Sequence, residues 1–261
     1  MQPTLDTLNN LTPVFIFGFL ALFMILERQR PYFAHGANRG KQRRRNVVVI
    51  VIAALVSIGV TVFSGMAMSW SGASRLGATY GPFGRSVLWI VLGIFLIDLC
   101  GYVAHVCFHK VPAFWRIHRV HHADAELDAS SGLRAHPLEL IFVITGTATV
   151  VALLGVPLAS SVLYGAIALP WFSLNHSNMR FPAWFENWGR LLMSTPNWHR
   201  IHHSSYQPET DSNYGCLFSI WDRLFRTSRY SNIESIRFGI DRFREPGDQT
   251  VGGLLKMPFM K

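Results

Sequence analysis

Half of the 261 residues are hydrophobic and only 15% are charged. With a mean hydropathy of +0.24, the chain is too apolar for an ordinary soluble domain and has the balance of a protein with several membrane spans. The net charge of +9 argues for lipid rather than nucleic acid: no recognition motif accompanies it, and basic residues beside long apolar runs mark a cytoplasmic, anionic lipid surface.

Residues 7–26 carry no charge and end abruptly at Glu27-Arg28-Gln29-Arg30-Pro31, long enough for one span. Asp6 and no basic residue precede this run, which is not the pattern of a cleaved signal peptide, so the run is expected to be retained. A second uncharged run covers 47–68. Arg39, Lys41, Arg43, Arg44 and Arg45 precede it, so the positive-inside rule predicts that loop 27–46 is cytoplasmic and the N-terminus outside. The third run, from 86 to about 108, returns to the cytoplasm with Asp98 in its interior and His105 near its end. Residues 1–110 thus read as three transmembrane helices and 111–139 as a His-rich cytoplasmic segment. The next uncharged stretch is too long for one span, and Gly155 and Pro157 mark a turn near its middle. Residues 140–176 are therefore expected to form a helical hairpin, either two short spans or a re-entrant pair.

Residues 177–261 hold no run long enough to span and read as a cytoplasmic cap. Within it Trp184, Trp188, Leu191 and Leu192 repeat at helical spacing, an amphipathic stripe that packs on the cap's core or lies in the membrane interface. The cysteines Cys100, Cys107 and Cys216 form no C-x-x-C pair and suggest neither a disulfide framework nor a thiolate metal site. The predicted fold class is all-α: a multi-pass transmembrane helical bundle with about four to five membrane segments and a His-rich helical cap. Its expected location is the cell inner membrane, with the cap on the cytoplasmic face.

This topology brings ten of the eleven histidines to one membrane face, leaving His35 as a solvated residue of the basic loop. His105 and His109 stand four apart at a span end. HRVHH at 118–122 supplies His118, His121 and His122, and HRIHH at 199–203 supplies His199, His202 and His203. Spacings of three and four put imidazoles on one helical face, where they can chelate an ion. These eight imidazoles and His176 exceed the four to six positions of one transition ion, so two ions are expected. Neither Glu-x-x-His nor His-Glu-x-x-His occurs, which argues against the soluble di-iron pattern and the common zinc protease. Such a site must balance its charge with hydroxide, substrate oxygen or nearby carboxylates. Asp98 and Tyr102 share the stripe of His105 and His109, making Asp98 a candidate to orient a liganding imidazole, or else to pair with arginine or backbone between helices. Asp124, just beyond His122, has a similar claim. Arg119 and Arg200, inside the two strings, suit salt bridges or lipid head groups.

His105-x-x-x-His109, HRVHH, the single His176 in NHSN, and HRIHH resemble the histidine boxes of the fatty acid hydroxylase and sterol desaturase superfamily. LRAHPLE around His136 and NYG...WDRLFRTS from Asn213 to Ser228 extend the likeness, which covers a single catalytic unit from about 85 to 230. The resemblance implies an integral membrane enzyme with two irons, using dioxygen to hydroxylate or desaturate a lipid such as a sterol, fatty acyl chain or ether lipid. Its implied ligands are His105, His109, His118, His121, His122, His176, His199, His202 and His203. His136 would be a tenth ligand or play a gating or ligand-supporting role. Where some fatty acyl hydroxylases have a second histidine in the third box, this chain has Arg180. Neither a haem-binding unit nor a flavin fingerprint appears, so a separate electron-donor protein is expected, and zinc can replace iron on isolation. The rival readings are a haem-binding electron-transfer protein, a zinc-dependent membrane hydrolase and a structural metal scaffold.

Overall fold

The computed structural model describes residues 2–34, 36, 38–70 and 86–261, with side chains omitted at 2–10, 12 and 68–70. His35 lies outside the described residues. The long helices are α1 (Gln2–Gln29), α2 (Arg39–Trp70), α3 (Val87–Lys110), α5 (Pro137–Leu154) and α6 (Leu158–His176). The short helix α4 (Pro112–His122) follows α3, and the cap carries α7 (Pro196–His202), α8 (Gln207–Thr210), α9 (Ile220–Leu224) and α10 (Val251–Lys256). Among the described residues there are only isolated β-bridges and no strand, as the all-α reading expects. Among the described residues, four segments are long and apolar enough to cross a membrane: Arg39–Ala67, Val87–Lys110, Pro137–Leu154 and Leu158–His176.

Burial is inverted relative to a soluble protein. Leu55, Ile58, Val62 and Phe63 of α2 and Val87 and Leu88 of α3 are exposed, whereas ten histidines, Asp98, Asp124, Arg134 and Asp222 are buried. Apolar side chains facing outward along helices of this length suit acyl chains, and the polar groups gather where the protein itself satisfies them.

Helix α3 begins at Ser86, whose hydroxyl accepts from the Trp89 amide at 3.2 Å, and Trp89 Nε1 donates to the Gly155 carbonyl at 3.2 Å. That contact places the start of α3 beside the turn between α5 and α6, so its His105 end lies at the opposite pole. Gly155 makes this turn with φ +62, a left-handed conformation that suits a residue without Cβ. Two helices of 18 and 19 residues result, each about 27–28 Å long, and α6 returns the chain to the histidine pole at His176. At that pole, residues 131–133 form a 3₁₀ turn. A Cβ on Gly132 would fall on the Phe172 carbonyl and beside His176, so glycine lets the turn press against the end of α6.

The basic segment differs from the expected loop, because Arg39–Arg45 form the first turns of α2. Arginine, lysine and glutamine are good helix formers, and their charges have local partners. Arg39 and Arg43 both pair with the fully buried Glu27 at the end of α1, and Arg43 Nε lies 2.8 Å from Asp128. Glu27 also accepts from the amides of Ala129 at 3.1 Å and Asn178 at 2.9 Å. This cluster joins the α1–α2 junction to the loops after α4 and α6. The stripe from Trp184 to Leu192 also departs from a regular helix: a π-helical turn at Phe185–Gly189 interrupts it, and all four of its apolar residues are exposed.

Candidate metal centre

Four helices deliver imidazoles to one place: the end of α3 (His105, His109), α4 (His118, His121, His122), the end of α6 (His176), and α7 with its C-cap (His199, His202, His203). All nine are buried. They sort into two groups whose ligand atoms lie within 4.8 Å of one another: His105, His109, His118, His122 and His202 in one, and His121, His176, His199 and His203 in the other.

The two similar strings therefore do not serve one group each. His118 and His122, four apart, share the group of five, while His121 turns to the group of four. HRIHH makes the reverse division, with His199 and His203 in the group of four and His202 in the group of five. The rings of His122 and His203 stack at 4.4 Å across the boundary.

Proton positions follow from the outer ring nitrogens. His105 Nδ1 lies 2.7 Å from the Tyr214 carbonyl, His118 Nδ1 2.9 Å from Glu139 Oε1, and His121 Nδ1 3.1 Å from the Arg134 carbonyl. His176 Nδ1 lies 2.6 Å from the Phe172 carbonyl and His202 Nδ1 2.7 Å from the Ser212 carbonyl. These oxygens only accept, so each Nδ1 carries the proton and each Nε2 presents a lone pair inward. Yet His105 Nε2 and His118 Nε2 stand 3.0 Å apart, and His176 Nε2 stands 3.1 Å from His121 Nε2 and 3.0 Å from both His199 and His203 Nε2. In the His105–His118 and His121–His176 pairs both Nδ1 atoms hold the proton, so lone pairs face each other and repel at that distance unless a cation draws them together. His122 Nε2 and His202 Nε2 are buried without a hydrogen-bond partner, as ligand nitrogens would be. The donor set fits two borderline transition ions.

Protonation does not compete at neutral pH. Burial lowers the His118 imidazole to about 3, and burial followed by the His118 charge lowers His121 to about 3. Burial first, then neighbouring imidazoles, also holds His122, His199, His202 and His203 well below the ordinary histidine value.

The other candidates lie outside both groups. Asp98 shares the buried stripe of α3, but its oxygens accept from Tyr164 Oη at 2.9 Å, Trp221 Nε1 at 2.7 Å and the Phe218 amide at 3.2 Å. At two helical turns from His105 it ties α3 to α6 and the cap rather than orienting an imidazole. Tyr102 bonds Thr227 at 2.8 Å. Asp124 pairs with Arg134 at 3.1 Å and accepts from Gln42, Asn46 and Ser131. Burial pushes this carboxyl up, but Arg134 and the three hydrogen bonds outweigh it and hold Asp124 below the usual carboxylate range. His136 is a helix cap: its Nδ1 accepts from the Leu138 amide at 3.1 Å, leaving Nε2–H to donate to the Leu255 carbonyl at 3.2 Å. With both nitrogens so engaged it has no lone pair for a metal.

Arg119 donates to the carbonyls of Met257 and Met260, and Arg200 to those of Ser177 and Met179. Both secure the chain behind the two strings, where neither a salt bridge nor a lipid head group is needed. Sequence reasoning overlooked Glu139, although it stands in the same LRAHPLE string as His136. It also overlooked Asp211, whose Oδ1 lies 3.5 Å from His109 Nδ1.

The family model described as fatty acid hydroxylase matches residues 90–227, just over half of the chain. Among curated proteins, the ornithine lipid hydroxylase OlsE of Rhizobium tropici is 26% identical over 80% of this chain and 64% of its own length. Human alkylglycerol monooxygenase is 27% identical over 58% of this chain and 33% of its own length. The C-4 methylsterol oxidase erg25 of Schizosaccharomyces pombe is 29% identical over 57% and 49%. The chain thus spans less than two thirds of each of these relatives, and no solved structure matches it. The family match covers the three structural elements after α3 that carry histidines as well as most of α3 itself, and the chain belongs to the fatty acid hydroxylase family.

Proposed function

We propose that this chain is a membrane-bound non-haem di-iron oxygenase that hydroxylates or desaturates a lipid. The observation that carries this reading is the division of nine buried imidazoles into groups of five and four at the ends of apolar helices. The names of the relatives support a lipid substrate, since they describe hydroxylation or oxidation of ornithine lipid, alkylglycerol and methylsterol. They favour oxygen insertion over desaturation and leave the lipid class as polar acyl lipid, ether lipid or sterol.

His105, His109, His118, His122 and His202 would hold one iron, and His121, His176, His199 and His203 the other. Two irons bound there supply the dioxygen activation that cleavage of an unactivated C–H bond requires. The chain's part is to orient the imidazoles through Glu139 and the four backbone carbonyls, and to exclude water by burial. The basic residues that begin α2 support a site on the cytoplasmic face of the inner membrane, where a separate electron-donor protein would reach it.

Comparative lipid mass spectrometry of cells with and without the gene, grown under labelled dioxygen, tests the activity. Labelled oxygen in a lipid is expected; loss of two hydrogens without label would make the reaction a desaturation, and an unchanged lipid profile would remove the reading. Metal analysis of anaerobically purified protein should give about two irons per chain, and a Soret band would favour haem instead.

A further inference from the structure

The apolar stripe of the cap is not absorbed by the metal centre. Trp184 and Trp188 are 66% and 72% exposed, although tryptophan ordinarily buries much of its surface. Leu191, Leu192, Leu224 and Phe225 are exposed as well. These residues come from two chain segments joined by backbone hydrogen bonds, Ser194 N to Leu217 O at 2.8 Å and Ser219 N to Leu192 O at 3.0 Å.

Their attachment shows where the patch sits. Phe218 stacks on Phe95 of α3 with centroids 4.7 Å apart, and Trp221 meets the same ring edge-on at 6.4 Å. Phe225 stacks on Tyr102 at 5.4 Å, and Trp171 Nε1 of α6 donates to the Ser194 carbonyl at 2.9 Å. At 1.5 Å per residue, Phe95 lies about 22 Å along α3 from its Lys110 end, well inside a hydrocarbon layer about 30 Å thick. Asp98, also inside that span, finds its Trp221 and Phe218 donors in these same segments.

Irregular backbone at such depth must satisfy itself, because no water is present to do so. The carbonyls of Trp188, Gly189, Arg190, Leu191, Leu192 and Ser194 all accept hydrogen bonds from the protein. Arg223 supplies two of these, to Leu191 at 2.8 Å and Arg190 at 2.6 Å.

We infer that residues 184–194 and 217–225 form a wedge that enters the bilayer beside α3 and α6 without crossing it, with Trp184, Trp188, Leu191, Leu192, Leu224 and Phe225 against acyl chains. The occupant of the patch is the lipid bilayer itself. The inference rests on α3 and α6 being membrane spans and extends that reading to a part of the cap that contains no span of its own. An apolar surface continuous with the spans, with six of its carbonyls satisfied by the protein, suits interfacial insertion.

Tryptophan fluorescence of the full-length protein in phosphatidylcholine vesicles tests it. The contributions of Trp184 and Trp188 are obtained by difference with Trp184→Phe and Trp188→Phe, and that of Trp89 in α3 with Trp89→Phe. Bromine on the acyl chains is expected to quench the Trp184 and Trp188 contributions several-fold more than aqueous iodide does. Quenching by iodide and not by brominated lipid would overturn the wedge and place the patch in water. Protection from both quenchers would overturn it in favour of a covering protein surface. If the Trp89 contribution also escaped brominated lipid, the spanning reading of α3 would fail together with the wedge. Loss of either wedge tryptophan as phenylalanine preserves an apolar ring, so the folded state can be checked by retained metal in every variant.

Discussion

Glu139 is the carboxylate nearest the imidazoles on the side of α5. Its Oε1 accepts from His118 Nδ1–H, and its Oε2 is buried without a hydrogen-bond partner. This contact fixes the tautomer that turns His118 Nε2 toward His105 and supplies negative charge to a donor set made wholly of neutral rings. Glu139→Ala should weaken metal binding about 10- to 100-fold, whereas Glu139→Gln, which keeps an acceptor oxygen, should lose less. Titration of the metal-stripped protein with zinc(II) measures the difference, and wild-type affinity in the alanine variant would show that the carboxylate does not orient the ligand. His136 provides the contrast within the same string. His136→Ala should leave metal content unchanged but remove the N-cap of α5, lowering stability by about 0.5–2 kcal/mol; His136→Asn should restore much of that loss. Thermal unfolding with metal analysis separates the two effects, and a variant that lost metal while remaining fully folded would return His136 to the ligand set.

At the scale of elements, the strings work because other helices hold them from behind. Asp124, just beyond α4, takes hydrogen bonds from Gln42 and Asn46 of α2 and from Ser131, and it pairs with the fully buried guanidinium of Arg134. Arg134 in turn places its carbonyl on His121 Nδ1. The chain thus links the first two turns of α2 to a ligand of the four-imidazole group. Asp124→Asn would leave the Arg134 charge buried without its counter-ion, and breaking a buried pair in this way destabilises by about 3–5 kcal/mol. The expected result is a large fall in the unfolding midpoint of the purified protein; a midpoint within a degree or two of wild type would mean that Gln42, Asn46 and Ser131 hold the loop without the ion pair. The substitution should also disturb His121 before His105, because only the former leans on Arg134. Loss of metal from the group of four ahead of the group of five is the signature to seek.

At the scale of the whole molecule, the helices and the nine histidines were legible because both depend on local periodicity. Uncharged runs of span length and imidazoles three or four apart are properties of a single segment. What joins segments was not legible. The exchange of His121 and His202 between groups depends on how α4 faces α7, and the satisfaction of Asp98 depends on a cap segment more than 110 residues away along the chain. His136 stayed open between a tenth ligand and a gating or supporting role for a related reason: its residue type suits a ligand, while its position before Pro137 makes it a cap. The same collective arrangement gives the metal-stripped protein a pH response. In the folded state His118 and His121 take up protons only near 3, against an ordinary value of 6.5, whereas the unfolded chain takes them up near the ordinary value. Between these limits the unfolded state binds more protons, so stability is fully present above about pH 6.5 and is lost as pH falls toward 3. Each such histidine contributes roughly 1 kcal/mol per pH unit inside the window, and His122, His199, His202 and His203 act in the same direction. The unfolding temperature of chelator-treated protein should therefore fall steeply between pH 6.5 and 5, and saturating zinc(II) should raise it at neutral pH by binding only the folded form. A midpoint that stayed level across that interval would mean that the imidazoles of the stripped protein are hydrated rather than buried.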